Sequence, residues 1–269
     1  MKKGIDLRLR RKILRVLDCS RRGHVPSAFS IVEILKVLYG EVLRCRPGEP
    51  AWEDRDRFIL SKGHGCLALY VLLAEKGFFP EEELARFCRP GGILGGHPEY
   101  GKVPGVEFST GSLGHGLSFG VGTALAARMD GKDRRTFVLM GDGECQEGSV
   151  WEAAMCAGKH RLAGLTAMID YNKRQAYGPV CEVQDLEPLA RKWESFNWEV
   201  VSADGHDEAA VREAFGRLPL SPEKPSLIIF NTVKGRGIAA LENDPSWHHK
   251  SGIKDDAMKA LCDALGADE

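Results

Sequence analysis

The stretch Thr136-Phe-Val-Leu-Met140 runs directly into Gly141-Asp142-Gly143-Glu144, and this junction decides the fold class. The apolar run is typical of a buried strand. The glycines beside Asp142 let the backbone turn tightly and approach a ligand closely. In open sheets of parallel strands, ligands bind at the carboxyl ends of the strands. The sequence therefore predicts a strand that ends in a ligand-binding carboxylate.

A second apolar run, residues 165–170, places Asn172 just beyond the end of the next predicted strand. Side-chain oxygens of Asp142 and Asn172, at two strand ends, can bind the same hard cation. Mg²⁺ prefers oxygen ligands and keeps phosphate oxygens as partners. An Asp-Gly turn after a strand is common by itself, so the pairing with Asn172 is what indicates a metal and phosphate site.

Helical and strand patterns alternate along the rest of the chain. The predicted helices span 27–43, 63–76, 80–88, 113–129, 149–160, 186–196, 207–217 and 255–265, after a basic amphipathic helix within 1–22. The predicted strands span 57–61, 136–140, 165–170, 198–202 and 226–231. Ser27 is the predicted cap of the helix at 27–43, and residues 89–110 form a long loop of the kind that is usually functional. The alternation predicts an α/β fold, a parallel sheet with helices on both faces, in a single domain over 1–269.

Composition excludes several classes of partner. The 269 residues carry a net charge of −1, with 37 Lys and Arg against 38 Asp and Glu, so we expect no nucleic acid and no anionic membrane as partner. No apolar run reaches the roughly 18 residues of a membrane span. The 8 cysteines show no zinc or iron–sulfur spacing, and we expect reduced thiols in a cytoplasmic protein.

The junction and Asn172 together resemble the signature of thiamine diphosphate enzymes, and Gly141-Asp-Gly-Glu-Cys-Gln-Glu-Gly148 resembles its transketolase form. Further elements resemble transketolases in the same order over nearly the whole chain: Gly23-His24, Ser61-Lys-Gly-His64, Gly96-His-Pro-Glu99, Thr110-Gly-Ser-Leu-Gly-His-Gly116 and Trp247-His-His249. The resemblance implies the diphosphate-binding domain of a transketolase. It also implies ketol transfer, in which a two-carbon glycolaldehyde unit passes from a ketose phosphate to an aldose acceptor.

The resemblance implies catalytic roles for histidines. His64 and His97 would hydrogen-bond the terminal hydroxyl and the reacting oxygen of the donor, and His24 and His249 would transfer protons at the acceptor aldehyde. Imidazole has an unperturbed pKa suited to such transfers near neutral pH. His249 is preferred to its neighbour His248 because its spacing to the next acidic pair fits the family better.

The resemblance also implies how the cofactors are held: thiamine diphosphate with Mg²⁺, for which Ca²⁺ or Mn²⁺ can substitute. The implied metal ligands are the side chains of Asp142 and Asn172 and the carbonyl of Arg174. The implied cofactor-binding residues are Gly111, Leu113, Gly143, Glu144, Asn172, Lys234, His64 and His249. Glu147 matches a family glutamate that links the cofactor sites across the subunit interface.

The sequence departs from the family pattern at His24-Val-Pro-Ser27, where glycines usually follow the histidine, and at His115, where many members carry Gln. The lost glycines are expected to reshape the channel beside His24. Full-length transketolases continue into a pyrimidine-binding domain and a third domain, whereas this sequence ends at Glu269. We therefore expect the N-terminal subunit of a split transketolase, inactive alone and paired with a separate C-terminal subunit in an α₂β₂ assembly that acts on sugar phosphates.

Other interpretations stay open at this point. The alpha chain of a 2-oxo-acid dehydrogenase shares the glycine–aspartate–asparagine signature, although the histidine elements argue against it. Deoxyxylulose-phosphate synthase shares an early histidine but is normally one long chain. A non-catalytic regulatory homologue could keep the fold. The sequence leaves the donor and acceptor sugars open.

Overall fold

The computed structural model describes residues 5–266, with a sheet of parallel strands at its centre. The strands are β1 Arg22–Gly23, β2 Arg57–Leu60, β3 Thr136–Gly141, β4 Leu165–Tyr171, β5 Glu199–Asp204, β6 Ser226–Asn231 and β7 Lys250–Ser251. The five-stranded sheet has the order β2-β3-β4-β6-β5, and all its neighbours pair in parallel. β1 and β7 form a separate antiparallel pair. The predicted fold class is confirmed.

Helices connect the strands and cover the sheet. They are α1 Leu7–Ser20, α2 Val25–Phe29, α3 Val32–Val37, α4 Cys66–Glu75, α5 His115–Met129, α6 Gly148–Lys159, α7 Val180–Val183, α8 Leu189–Ser195, α9 Glu208–Gly216 and α10 Asp255–Leu265. A π-helical turn spans Leu38–Val42, and 3₁₀ turns span Gly63–Gly65, Glu81–Arg86, Gly143–Gln146 and Pro245–Trp247. Among residues 5–266, no helix combines the length and apolar character that a membrane crossing needs.

Both faces of the sheet are buried, and β3 shows why. Successive side chains of a strand point to opposite faces, so Phe137 and Leu139 pack into one core while Val138 and Met140 pack into another. Side chains of α1 to α4, α9 and α10 complete the first core, and side chains of α5, α6 and α8 complete the second. The apolar runs seen in the sequence are therefore strands covered by helices on both sides.

The strand register aligns the ends of the central strands. Gly141 at the end of β3 is paired with Asp170 in β4, and Tyr171 at the end of β4 is paired with Asn231 at the end of β6. Because these strands are parallel, the segments that follow them leave the sheet at the same edge. This edge carries the candidate site.

The region predicted as one helix over 27–43 is broken, and that prediction was wrong in detail. α2 begins at Val25 with Pro26 in its first turn, so Ser27 lies inside the helix and does not cap it. The break follows at Ser30, whose hydroxyl lies 3.1 Å from the Ser27 carbonyl and 2.7 Å from the Asp170 carboxylate. A serine side chain that competes for a backbone carbonyl favours a bend or an end in a helix.

The predicted loop at 89–110 is confirmed, because no helix or strand occurs between Arg89 and Gly114. Its backbone is anchored to α4, since the Tyr70 hydroxyl donates to the Gly95 carbonyl at 3.0 Å. Buried Leu94 and Val103 attach the loop to the first core. The loop therefore lies against the body of the molecule, where it can form a wall of a site.

Candidate functional site

A cavity of about 340 Å³ opens beyond the carboxyl ends of β3 and β4. The predicted site residues that line it are His24, His64, His97, Gly111, Leu113, Asp142, Gly143, Glu144, Glu147, Asn172, Arg174 and Lys234. They come from loops that are far apart in the sequence. The structure thus brings together every predicted site residue except His249, which lines an adjoining cavity.

Asp142 is a buried carboxylate held by backbone donors. It follows β3 directly, and its oxygens accept hydrogen bonds from the amide of Gly143 at 2.7 Å and from the amide of Lys173. Burial, followed by the negative charge of Asp170, raises the pKa of Asp142 to about 7. A carboxylate so poorly stabilised as an anion is suited to bind a cation, which would offset the cost of burying its charge.

Asn172 lies beside Asp142 with its amide orientation fixed. Its Nδ2 donates to the Asp170 carboxylate at 2.8 Å, and its Oδ1 accepts from the amide of Arg174 at 3.0 Å. Asp170 is itself fully buried and pairs with the buried ammonium group of Lys62. This buried pair therefore determines which way the side chain of Asn172 presents its oxygen.

Two lysines bring positive charge to the cavity. Lys62 and Lys234 both line it and are both buried. Lys234 Nζ donates to the Arg174 carbonyl at 3.1 Å and lies 2.9 Å from Nδ1 of His248. Burial, followed by the nearby charge of Lys62, lowers the pKa of Lys234 to about 8. Lys62 is paired with Asp170, so the ammonium group of Lys234 is the one suited to an anionic ligand.

Glu144 lines the cavity but turns its carboxylate toward the protein. The carboxylate accepts hydrogen bonds from the amide of Gly114 at 2.9 Å, the amide of Gly141 at 3.1 Å and the hydroxyl of Ser61. Its expected contact with a cofactor was through the backbone, where the carbonyl of Glu144 accepts a hydrogen bond from the amide of Glu147 at 3.0 Å. The side chain instead ties the loop before α5 to the end of β3.

Close backbone packing beside this tie requires glycine. Gly114 has φ +86°, and a Cβ there would lie 2.6 Å from Ser149 Oγ and 2.7 Å from Glu147 Cβ. A Cβ on Gly116 would lie 2.3 Å from Ser61 Oγ. These contacts explain why the Thr110–Gly116 motif places glycines at these positions.

The histidines form a cluster centred on His24. Its ring centroid lies 5.6 Å from His64, 6.0 Å from His97, 5.6 Å from His248 and 4.6 Å from His249. Burial, followed by the neighbouring His249, lowers the pKa of His24 to about 3. Burial also lowers the pKa of His64 and of His97. These rings are therefore neutral near pH 7, when each can donate and accept a hydrogen bond.

His248 and His249 face different spaces. His248 lines the cavity with Asp142, contacts Lys234, and has its pKa lowered to about 4 by burial and then by Lys234. His249 lines a neighbouring cavity that also includes His24 and His97. The preference for His249 as a cofactor ligand rested on spacing alone, and the geometry instead puts His248 beside the residues predicted to hold the cofactor. His249 lies 4.6 Å from His24, the residue with which it is expected to share proton transfer.

Several lining residues were not identified from the sequence, among them Ser27, Lys62 and His248. Lys62 stands inside the quoted Ser61–His64 motif, so a signal was available. Ser27 was interpreted as a helix cap, yet its buried hydroxyl has no hydrogen-bond partner in the described part of the chain. An orphaned polar atom at a cavity wall indicates a missing ligand group.

The residues present fit a diphosphate bound with a divalent cation. The side-chain oxygens of Asp142 and Asn172 suit the cation, while the ammonium group of Lys234 and the free hydroxyl of Ser27 suit phosphate oxygens. Within residues 5–266 no group of His, Cys, Asp and Glu side chains could hold a metal by itself. A site with one carboxylate needs ligand oxygens and water to complete its coordination, as Mg²⁺ sites with phosphates usually do.

Comparison with known proteins agrees with this geometry. Residues 9–269 match the family described as "Transketolase, thiamine diphosphate binding domain". The chain is 41% identical to a subunit of the apulose-4-phosphate transketolase of Phocaeicola vulgatus, covering 89% of this chain and 85% of that protein. It is 42% identical to the 6-deoxy-6-sulfo-D-fructose transketolase subunit SqwG of a Clostridium species, covering 91% of each. The crystal structure of Campylobacter jejuni transketolase superposes with a TM-score of 0.89 at 31% identity, and this chain spans 97% of its own length but 42% of that protein.

Proposed function

The chain belongs to the family of transketolase thiamine diphosphate-binding domains, and from this premise we propose that it is the N-terminal subunit of a split transketolase. It transfers a two-carbon glycolaldehyde unit from a ketose phosphate to an aldose acceptor. One observation carries the proposal. A single cavity combines side-chain oxygens of Asp142 and Asn172 that can bind a metal, buried lysines and a cluster of neutral histidines.

Thiamine diphosphate, when bound, supplies an electron sink that lets a carbon–carbon bond beside a carbonyl break and form. In our proposal Asp142, Asn172 and the Arg174 carbonyl hold Mg²⁺, for which Ca²⁺ or Mn²⁺ can substitute. Lys234 offsets the charge of the diphosphate, with Ser27 and His248 as further hydrogen-bonding groups. Gly143, Glu144, Gly111 and Leu113 contribute the backbone near the cofactor.

The histidines handle the protons of the substrate. His64 and His97 hydrogen-bond the hydroxyl and the reacting oxygen of the donor sugar, and they stabilise negative charge that develops there. His24 lies between both cavities, so it can take or give a proton at the acceptor aldehyde together with His249. Glu147 is exposed at the start of α6, where a second subunit can reach it.

We also propose that residues 1–269 form one diphosphate-binding domain of a cytoplasmic enzyme. Its partner is a separate C-terminal subunit with the pyrimidine-binding and C-terminal domains, in an α₂β₂ assembly. Two relatives of nearly the same length carry the word subunit in their names, which supports a divided enzyme. Those names also include a sugar phosphate and a sulfonated sugar, which supports an anionic sugar as substrate.

Calorimetry and kinetics on the chain combined with a C-terminal transketolase subunit of the same genome test the proposal. We expect thiamine diphosphate to bind only with Mg²⁺ present, and ketose turnover to appear only when both subunits are mixed. Asp142→Asn should weaken cofactor binding by ~100-fold or more, because it removes the charged metal ligand. Asp263→Asn changes an exposed carboxylate on α10 and should leave binding unchanged. Cofactor binding that is independent of Mg²⁺ and of Asp142, or full turnover by the chain alone, would disprove the proposal.

A further inference from the structure

A further cavity, of about 320 Å³, lies at the edge of the sheet where the central strands begin. Its lining includes Gly164, which directly precedes β4 and accepts a hydrogen bond from the amide of Thr136, the first residue of β3, at 2.9 Å. The cavity that contains Asp142 lies at the opposite edge, where the same strands end. In the described part of the chain, no residue lines both cavities.

Cationic side chains dominate the lining of this space, which we call the basic cavity. Among residues 5–266, one aspartate and four cations line it. The cations come from the end of α5, the loop before β3 and the loop after α6, and they are Arg128, Lys132, Arg134 and Arg161. The aspartate, Asp133, is paired with Arg44, which lies outside the lining, at 2.9 Å. Buried Ala124, Ala127 and Leu162 give the basic cavity an apolar floor.

Two of the four cations are barely neutralised by the chain itself. Arg128 donates to the backbone carbonyl of His160 and forms no ion pair with a carboxylate of the described residues. Arg161 lies 3.8 Å from Glu223, and both of these side chains are mostly exposed. Exposed ion pairs contribute little to stability, so an anionic ligand can replace Glu223 as the partner of Arg161 at small cost.

The other two cations are paired with carboxylates that do not line the basic cavity. Lys132 pairs with Asp54 at 2.7 Å and Arg134 with Asp130 at 2.6 Å, and both carboxylates are about half exposed. The side chain of Arg134 is only 11% exposed, and its Nε is buried without a hydrogen-bond partner within residues 5–266. A buried N–H group without an acceptor is rare. An acceptor on a ligand in the basic cavity would satisfy it.

The dipoles of the helices account for only part of this charge. Basic side chains interact favourably with the last turn of a helix, and the effect fades beyond that turn. Arg128 lies in the last turn of α5, whereas Lys132 and Arg134 follow the end of this helix. The helix dipole therefore does not explain why Lys132 and Arg134 are cationic.

We propose that the basic cavity binds a small metabolite that carries two phosphate groups. Guanidinium groups present paired N–H donors that match phosphate oxygens, and the apolar floor suits the carbon skeleton between the phosphates. Four positive charges and one negative charge leave the lining with a net charge of +3, which two phosphates of about −1.5 to −2 each would offset. Because this site lies at the other edge of the sheet, it does not depend on the proposed function.

Calorimetry on the full chain tests the proposal, with fructose 1,6-bisphosphate as the probe and fructose as its uncharged counterpart. We expect the bisphosphate to bind and fructose not to bind, and inorganic phosphate to bind at least about tenfold more weakly than the bisphosphate. Arg128→Gln and Arg161→Gln should each weaken binding of the bisphosphate by about tenfold, because each removes a charged hydrogen-bond donor. Arg191→Gln removes an exposed arginine of α8, outside the basic cavity, and should leave binding unchanged.

Lys234→Gln shows in which cavity the bisphosphate binds, because Lys234 lines the cavity that contains Asp142 and not the basic cavity. This variant should bind the bisphosphate as the wild type does. Loss of binding in Lys234→Gln, or undiminished binding in both Arg128→Gln and Arg161→Gln, would overturn the proposal. So would a wild-type chain that does not bind the bisphosphate, inorganic phosphate that binds equally well, or an equal loss in Arg191→Gln.

Arginine labelling with phenylglyoxal, followed by peptide mass spectrometry, locates the bound probe on the chain. With the bisphosphate at about ten times its dissociation constant, labelling of Arg128 and Arg161 should slow by up to about tenfold. Arg191 in the same sample is the internal control, and its labelling rate should stay the same. Unchanged labelling of Arg128 and Arg161, or equal slowing at Arg191, would reject the site.

Discussion

At the scale of single residues, Glu33 connects the core to the cavity. It is fully buried and accepts hydrogen bonds from Arg10 and from Nδ1 of His206 at 3.2 Å. Nε2 of the same imidazole accepts a hydrogen bond from the amide of Val233 at 2.8 Å, so Nδ1 carries the proton that faces Glu33. These hydrogen bonds connect Glu33 through His206 to the backbone of Val233, the residue before Lys234. They therefore fix the backbone that positions a lysine of the cavity.

The titration of Glu33 predicts a pH dependence of stability. Burial alone would raise its pKa, but hydrogen bonds from His206 and Arg10 dominate and lower it from 4.5 to about 2. A lowered folded pKa means that the carboxylate stabilises the protein above pH 4.5 and loses this effect as the pH falls toward 2. The shift corresponds to about 3 kcal/mol of unfolding free energy. Glu33→Gln should therefore be less stable than wild type by roughly that amount at pH 7, and the difference should shrink below pH 4.

Urea unfolding at pH 7 and pH 3 measures the effect. The control is Glu49→Gln, a change in a mostly exposed carboxylate that pairs with Arg46, and it should differ little from wild type at either pH. A Glu33→Gln difference of the same size at both pH values would contradict the assignment of this carboxylate as the titrating group.

The sequence predicted which residues meet in the site when each residue directly follows a strand. It did not predict in which direction a loop side chain points. Asp142 and Asn172 follow recognisable apolar strands, so their proximity could be expected. His248 and His249 are adjacent in sequence, and only the local backbone sends one toward Lys234 and the other toward the neighbouring cavity. Ser27 looked like a cap because its type is common at caps, whereas the helix begins earlier, at Val25.

At the scale of elements, the β1–β7 pair joins distant parts of the chain. Gly23 pairs with Lys250, so His24 and His249 emerge side by side. Each strand has 2 residues, which is too short for an alternating pattern, and neither was predicted from the sequence. The longer strands of the main sheet were predicted because burial on both faces makes them continuous apolar runs.

The hydrogen bonds accepted by Glu144 predict that replacing this residue lowers the unfolding free energy. In Glu144→Gln, one carboxylate oxygen is replaced by an NH₂ group. That group would face the backbone amide of Gly114 or of Gly141, and two buried donors would then meet without an acceptor. We expect a loss of about 1–3 kcal/mol in unfolding free energy. The measurement is urea unfolding of the chain without cofactor. Glu147→Gln is the matched control, since its side chain is exposed and it should change stability by less than about 0.5 kcal/mol. Similar losses in both variants would show that the carboxylate of Glu144 does not act as a tie.

At the scale of the whole molecule, the site is formed by loops that a rigid sheet holds in place. Loops after β3, β4 and β6 leave the sheet at one edge and meet the long loop at 89–114 over the cavity. Strands buried on both faces open rarely, whereas loops with few backbone hydrogen bonds open often. A ligand that contacts several loops at once should therefore stabilise them together and leave the sheet unchanged.

Hydrogen exchange on the assembled enzyme tests this view of the molecule. Adding thiamine diphosphate and Mg²⁺ at about 100 times the dissociation constant should slow exchange by up to ~100-fold wherever opening releases the ligand. We expect protection in three segments that carry cavity residues, 97–114, 172–177 and 234–248. α9 serves as the internal control, because its residues line neither cavity, and its exchange should stay the same. Protection of one segment alone would show that the loops respond independently. Equal protection of α9 would show that the whole molecule becomes more rigid, and not that the loops share a contact with the cofactor.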